Sequence, residues 1–173
     1  MKIVLIGYMG SGKSAVGKQL ASKLNIAFKD LDTEIEIVEE KTIPQIFSIK
    51  GEIYFRKAER NTLKSILDSK KNLVLATGGG TPCYSDVINL LVSDKKVKTI
   101  YLMTSLNILT ERIFNEKLDR PLISHIKSED ELTAFIAKHL FERSQFYNQA
   151  NFTVKTDGLT IEEVVDKIVQ KVN

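Results

Sequence analysis

Short, largely apolar runs of three to seven residues recur along the chain, and stretches with apolar residues three or four apart follow them. The runs are Ile3-Val4-Leu5-Ile6, Ala27 to Asp30, Leu73-Val74-Leu75-Ala76, Val97 to Met103 and Phe152-Thr153-Val154. The first and third, continuously apolar, predict strands buried on both faces; Ala27 to Asp30 reads as a short strand ending in acids, Val97 to Met103 as another strand, and Phe152 to Val154 as a last short one. The intervening stretches read as helices. Val16, Leu20 and Leu24 fall at i, i+4 and i+8 after the first run, one face of a helix over 14–24. A helix over 32–40 is predicted with Ile35 and Val38 on one side, followed by a turn holding Pro44 and a brief apolar helix through Ile46, Phe47 and Ile49. Gly51 punctuates, and 52–67 reads as a longer helix with Ile53, Ala58, Leu63, Ile66 and Leu67 as a partial core stripe.

The second half repeats the alternation. Residues 86–92 read as helix, and Ser105 can cap the helix carrying Leu106, Leu109, Ile113 and Phe114. Ser128-x-x-Glu131 and Thr160-x-x-Glu163 are capping-box patterns opening two more helices, one to about Tyr147 and one with Ile161, Val164, Val165, Ile168 and Val172 as its apolar face. Between them, 115–127 is polar and without period, the best candidate for a mobile segment. Five strands alternating with helices predict an α/β fold with one parallel sheet covered on both sides. Ligands then belong beyond the carboxyl ends of the strands.

Composition adds little and excludes more. At 173 residues, with 43% hydrophobic and 27% charged residues, the chain has the size and balance of a single soluble globular domain. The net charge is +3 with scattered lysines, so no basic face argues for nucleic acid. No run approaches a membrane span or a signal-peptide core. Cys83 is the single cysteine, which excludes an intrachain disulfide and fits a reducing, cytoplasmic setting. His125 and His139 read as surface or structural residues, not zinc ligands.

The chemistry concentrates at predicted strand ends. Gly7-Tyr8-Met9-Gly10-Ser11-Gly12-Lys13-Ser14 fits G-x-x-x-x-G-K-[ST], set between a strand and a helix as a phosphate-binding loop requires. Its glycines let successive N–H groups turn toward phosphate oxygens at the positive end of the helix. Lys13 would reach the β- and γ-phosphates, and Ser14 would ligate Mg²⁺. Asp30-Leu31-Asp32 follows the second strand. One carboxylate can support Mg²⁺ while the other faces an acceptor hydroxyl; capping of the next helix by Asp32 is the alternative. The third strand ends Leu75-Ala76-Thr77-Gly78 without the acid many such proteins carry there, so Asp30 is the nearest substitute. Thr77-Gly78-Gly79-Gly80 is costly to order and points to a backbone lying against a ligand, with a flexible turn as alternative. Arg56, Arg120 and Arg143 are each surface residues by default, yet a phosphoryl-transfer site needs fixed positive charge. The phosphate loop, the two acids and the glycine run are expected around one site, with 115–127 folding over it.

Gly7 to Ser14, Phe28-x-Asp30-x-Asp32, Gly51 to Arg56, Gly78-Gly79-Gly80, Arg120-Pro121-Leu122 and Arg143-x-x-x-Tyr147 stand in the order and approximate spacing of shikimate kinase, which the chain resembles over its full length. The resemblance implies a P-loop three-layer fold of the nucleoside monophosphate kinase type, strand order 2-3-1-4-5, as a single domain, with a substrate-binding segment about 31–60 and a lid about 115–127. It implies transfer of the ATP γ-phosphoryl group to the 3-hydroxyl of shikimate. Catalysis would fall to Asp32, Lys13 and Arg120. Nucleotide would be held by Gly10, Ser11, Gly12, Lys13, Ser14, Ala15, Arg112 and Arg120, and Mg²⁺ by Ser14 and Asp30. Shikimate would be held by Asp32, Arg56, Gly78, Gly79, Gly80 and Arg143. No nucleic-acid or membrane partner is implied, and the expected state is a cytoplasmic monomer. The rivals are another small-molecule kinase of this fold, gluconate- or nucleotide-specific, and a non-catalytic P-loop switch. The stretch from Arg112 to Arg120 is one residue longer than in many relatives, and Thr156-Asp157-Gly158 lacks a basic residue that some carry there.

Overall fold

The computed structural model describes residues 1–115, 126 and 128–172. The five apolar runs form strands β1 (Lys2–Ile6), β2 (Ala27–Asp30), β3 (Leu73–Ala76), β4 (Val97–Met103) and β5 (Phe152–Lys155). They make one sheet in the order β2-β3-β1-β4-β5, every pair parallel. The helices are α1 (Lys13–Leu24), α2 (Leu31–Glu39), α3 (Ile43–Asp68), α4 (Val87–Ser93), α5 (Leu106–Asn115), α6 (Glu129–Tyr147) and α7 (Ile161–Val172).

Alternation along β1 divides the core. Ile3 and Leu5 pack with Val16 and Leu20 of α1 and with Val164, Val165 and Ile168 of α7. Val4 and Ile6 face the other way, onto Leu31, Ile35, Leu63, Leu91 and Tyr147. A third cluster joins α5 and α6 through Leu109, Ile113, Leu132 and Ile136, and it takes in Tyr8 from the loop after β1. Thr160 and Glu163 close a reciprocal capping box before α7, and the Ser128 hydroxyl accepts the Glu131 N–H before α6.

Three expectations change. The turn at Pro44 is the first turn of α3, opened by a capping box between Thr42 and Gln45; Pro is tolerated there because those N–H groups have no intrahelical partner. The brief helix and the long one run together as α3, with a break at Gly51 (φ 79, ψ 172). Ile53 and Val38 are exposed, at 90% and 64%. The buried stripe of α3 runs instead through Phe55, Glu59, Thr62, Leu63 and Ile66, a face whose centre lies about 135° around the helix from Ile53.

Register sets the level of the site. Asp30 pairs with Ala76, and Leu5 with Ala76 on the other side. The loop after β1, the acids after β2 and the glycines after β3 therefore leave the sheet side by side. Central β1 lies where the strand order reverses, the place for a ligand crevice.

Candidate active site

The loop after β1 owes its shape to backbone that side chains resist. Gly10 (φ 78) and Gly12 (φ 89) both occupy the left-handed region. The Gly12 carbonyl accepts the Val16 N–H at 2.9 Å, so the loop feeds straight into α1 and sets its N–H groups at the helix's positive end. Lys13 is buried and donates to the carbonyls of Gly7 and Tyr8, both at 2.8 Å. Its ammonium is thus held across the loop where phosphate oxygens would lie.

The two acids have different partners. Asp30 is the N-cap of α2: Oδ1 accepts the Asp32 N–H at 3.1 Å, and Oδ2 accepts the Ser14 hydroxyl at 2.7 Å. The cap is Asp30, not Asp32, because α2 starts one residue earlier than its apolar pattern suggested. Asp32 is thereby left to face the cleft. Its carboxyl is pushed up to about 6, first by loss of solvation among the surrounding protein, then by the charges of Asp30 and Glu59, with Lys13 pulling the other way. The residue still opens to water through the cleft mouth.

After β3, Thr77 donates its N–H and hydroxyl to Leu5 O at 3.2 and 3.0 Å, tying the glycine run to β1. No glycine of the run needs positive φ; smallness is what the positions demand. A Cβ on Gly79 would stand 3.1 Å from Met9 N, and one on Gly80 would stand 3.3 Å from Arg56 Nη2. The Tyr147 hydroxyl donates to Gly79 O at 2.5 Å. The run therefore lies against the phosphate loop on one side and Arg56 on the other.

The Arg56 Nη1 donates to Glu59 Oε2 at 2.9 Å, and Glu59, buried at 2% exposure, also accepts the Thr81 hydroxyl at 2.6 Å. Arg56 Nε is buried without a hydrogen-bond partner. Arg143 lies over the Tyr8 ring, 5.4 Å from its centroid. Tyr8 is itself buried and meets His139 Nδ1 at 3.1 Å; burial pushes its phenol up to about 12 and, with Arg143 next, holds His139 below its usual value. Cys83 is half-buried, and burial raises its thiol to about 11, so it is not a poised nucleophile.

A cleft of about 390 Å³ is lined by Gly10, Gly12, Lys13, Ser14, Ala15, Asp30, Asp32, Gly78, Gly79 and Arg112, together with Met9 and Thr77. Ser11 is buried beneath it and joins Arg112, Thr156 and Leu159 around a small adjoining crevice. Arg112 donates to Gly10 O at 3.1 Å. Arg56, Gly80 and Arg143 stand outside that lining, and Arg120 lies outside the described residues. Glu59, Thr81 and the ring of Tyr8 went unnoticed in the sequence. For Glu59 the signal was present: it stands three residues after Arg56, on the same helical face.

The arrangement offers an anion cradle, a pair of hard oxygens and a cleft-lining carboxylate of raised pKa in one place, features that suit phosphoryl transfer to a hydroxyl. A family model described as shikimate kinase matches residues 9–173. Shikimate kinase of Flavobacterium johnsoniae is 44% identical over 168 residues, 97% of this chain and 96% of the relative. Among solved structures, shikimate kinase from Bacteroides thetaiotaomicron superimposes with a TM-score of 0.90 at 36% identity, covering 99% of this chain and 98% of the other. Shikimate kinase from Acinetobacter baumannii in complex with shikimate does so with a TM-score of 0.85 at 33% identity, covering 99% and 92%.

Proposed function

The chain belongs to the shikimate kinase family, and from that premise we infer how its residues carry out the reaction. The enzyme transfers the γ-phosphoryl group of ATP to the 3-hydroxyl of shikimate, giving shikimate 3-phosphate and ADP. This is a step of the pathway to the aromatic amino acids.

The residue roles are our reading. Gly10 to Ala15 and Lys13 hold the phosphates, with Arg112 on the nucleotide side. Ser14 and Asp30, whose oxygens are 2.7 Å apart, suit Mg²⁺, which prefers oxygen and takes few protein ligands beside substrate phosphates. When bound, the ion neutralises charge on the β- and γ-phosphate oxygens. Arg56 and Arg143 hold the acceptor carboxylate, with Gly78, Gly79 and Gly80 forming the floor between. Asp32 accepts the proton of the acceptor hydroxyl as its oxygen bonds to the γ-phosphorus and the bond to the β-γ bridging oxygen breaks. By resemblance alone, Arg120 stabilises the transferring group; it belongs to the segment about 115–127 expected as a lid, nearly all of which lies outside the described residues. The substrate-binding segment is about 31–60 of a single domain, and the protein acts as a cytoplasmic monomer.

The observation that supports this most is the shared cleft, where Asp32 faces the phosphate loop across Gly78 and Gly79. Positioning and charge account for most of such a reaction, without covalent chemistry by the protein. The test is ADP release from Mg-ATP with shikimate, gluconate, AMP or no acceptor. Release dependent on shikimate alone is expected; turnover indifferent to shikimate overturns the acceptor assignment.

A further inference from the structure

The segment from Thr81 to Asp86 is fastened to α3 at three points. Thr81 donates to Glu59 at 2.6 Å, Tyr84 OH donates to Glu52 Oε1 at 2.8 Å, and Arg60 donates twice to Asp86, both bonds at 2.7 Å. Among them lies Ser85, at φ 53 in the left-handed region that L side chains disfavour. Such a conformation persists where its surroundings over-determine it, and it often marks a functional constraint.

What the bend positions is the Tyr84 ring. Its centroid lies 3.9 Å from Arg56 Cζ, with the Phe55 ring at 5.1 Å. Arg56 already has one carboxylate partner in Glu59. A second, Glu52, stands 3.8 Å from Arg56 Nε, beyond hydrogen-bond reach, while its Oε1 accepts from Tyr84. Nε is therefore buried, held only in a long ion pair with Glu52, and without a hydrogen-bond partner. An orphaned buried donor is rare and leaves a hydrogen bond open for an incoming ligand oxygen.

We propose that Tyr84 is a positioning residue for the acceptor's carboxylate: its ring fixes the plane of the Arg56 guanidinium, and its hydroxyl holds Glu52 off Nε so that this donor is kept for the substrate. The inference rests on the reading that Arg56 binds that carboxylate. The bond to Glu52 raises the Tyr84 phenol above its usual value, so the hydroxyl stays protonated and donating through the neutral range.

The test is steady-state kinetics on the full chain, with KM for shikimate and for ATP measured separately. Tyr84→Phe keeps the stacked ring and frees Glu52. It should raise the shikimate KM about three- to tenfold, with kcat and the ATP KM within about twofold. Adding Glu52→Gln to Tyr84→Phe removes the competing charge and should return the shikimate KM to within about twofold of the parent. Tyr84→Leu loses the ring as well, and Glu52→Gln should not rescue it fully. A packing role alone would lower Tm without reversal by Glu52→Gln. The proposal is overturned if Tyr84→Phe leaves the shikimate KM unchanged, or if Glu52→Gln does not reverse the rise. Arg56→Lys separates the two levels. An unchanged shikimate KM in that variant removes Arg56 from acceptor binding and takes this inference with it. A raised KM there, with an unaffected Tyr84→Phe, overturns the Tyr84 role alone.

Discussion

Replacing Asp32 by Asn should remove turnover and stabilise the fold at the same time. The two side chains have the same shape, so the change tests charge alone. In the metal-free protein the carboxyl is held at about 6, against an ordinary 3.8. A group whose folded pKa is raised binds its proton more tightly when folded. Ionising it therefore costs stability as pH climbs through the window between those two values. Taken at face value, the difference corresponds to about 3 kcal/mol at 1.36 kcal/mol per tenfold. Asp32 opens to water on the cleft side, however, and solvent screening reduces this to on the order of 1 kcal/mol. For a domain of this length that is about 2–4 °C in Tm.

The assay is paired thermal melting of the parent and Asp32→Asn, without nucleotide or Mg²⁺, at pH 7.5 and at pH 3.5. The variant should melt higher at pH 7.5. At pH 3.5, below both pKa values, the gap should close, because the parent carboxyl is then protonated in both states. A variant that melts lower at pH 7.5, or a gain that survives at pH 3.5, refutes the reasoning. The kinetic side follows from the same charge: if ionised Asp32 takes the hydroxyl proton, kcat/KM of the parent falls on the acid side of about pH 6. Asp32→Asn should lose at least 10²-fold in kcat while ATP affinity changes little. Near-normal turnover in the variant removes Asp32 from catalysis.

Gly17→Ala should destabilise α1, although Ala is the better helix former by about 1 kcal/mol. The new Cβ would lie 2.5 Å from Phe28 Cε2 and 3.3 Å from Leu5 Cδ1, and overpacking of about 1–3 kcal/mol outweighs the gain; a rise in urea midpoint counts against the packing account. Gly79→Ala meets backbone, Met9 N at 3.1 Å, which yields less than a side chain does. A fall in kcat/KM of at least tenfold is expected, and unchanged kinetics would show that the phosphate loop can shift freely. Tyr147→Phe removes the bond to Gly79 O in a residue with no exposure. It should cost about 1–2 kcal/mol in denaturant unfolding; a loss below a few tenths would show that water replaces the hydroxyl.

The central strands β1 and β3 were legible because burial on both faces leaves no alternation: Ile3 to Ile6 and Leu73 to Ala76 are at most 1% exposed, whereas the edge strands β2 and β5 are largely exposed or half-buried. Their order came with the family resemblance; periodicity does not supply it. The weak reading was in α3, for a reason visible in Glu59. A buried carboxylate within the apolar stripe resembles a solvent-facing position, so the stripe was drawn through Ile53. Asp30 and Asp32 were legible as a pair, but which of them caps the helix was not, because they flank Leu31 and a two-residue change in helix start exchanges cap and free acid. The bonds from Tyr147 to Gly79 and from Tyr8 to His139 join positions 68 and 131 apart. No local pattern encodes them.

The two halves of the site are specified differently, and the difference explains what the glycine run does. The phosphate half is local: nine consecutive residues, 7–15, shape it mainly with their own backbone. The residues we assign to the acceptor come from α2, α3 and α6 and are held by side-chain pairs: Arg56 with Glu59 on α3, and Arg143 of α6 over Tyr8 of the phosphate loop. Elements placed so separately need a common reference. Gly79 provides one: a Cβ there would stand 3.1 Å from Met9 N of the phosphate loop, while its carbonyl is held by Tyr147, four residues after Arg143 on α6. A side chain there would push the acceptor-binding helix and the phosphate loop apart together. In-line transfer tolerates little change in the distance between acceptor oxygen and γ-phosphorus. On the roles proposed here the run would be the spacer that sets this distance, and the close approach at Gly79 and Gly80 accounts for two of its glycines without any appeal to flexibility.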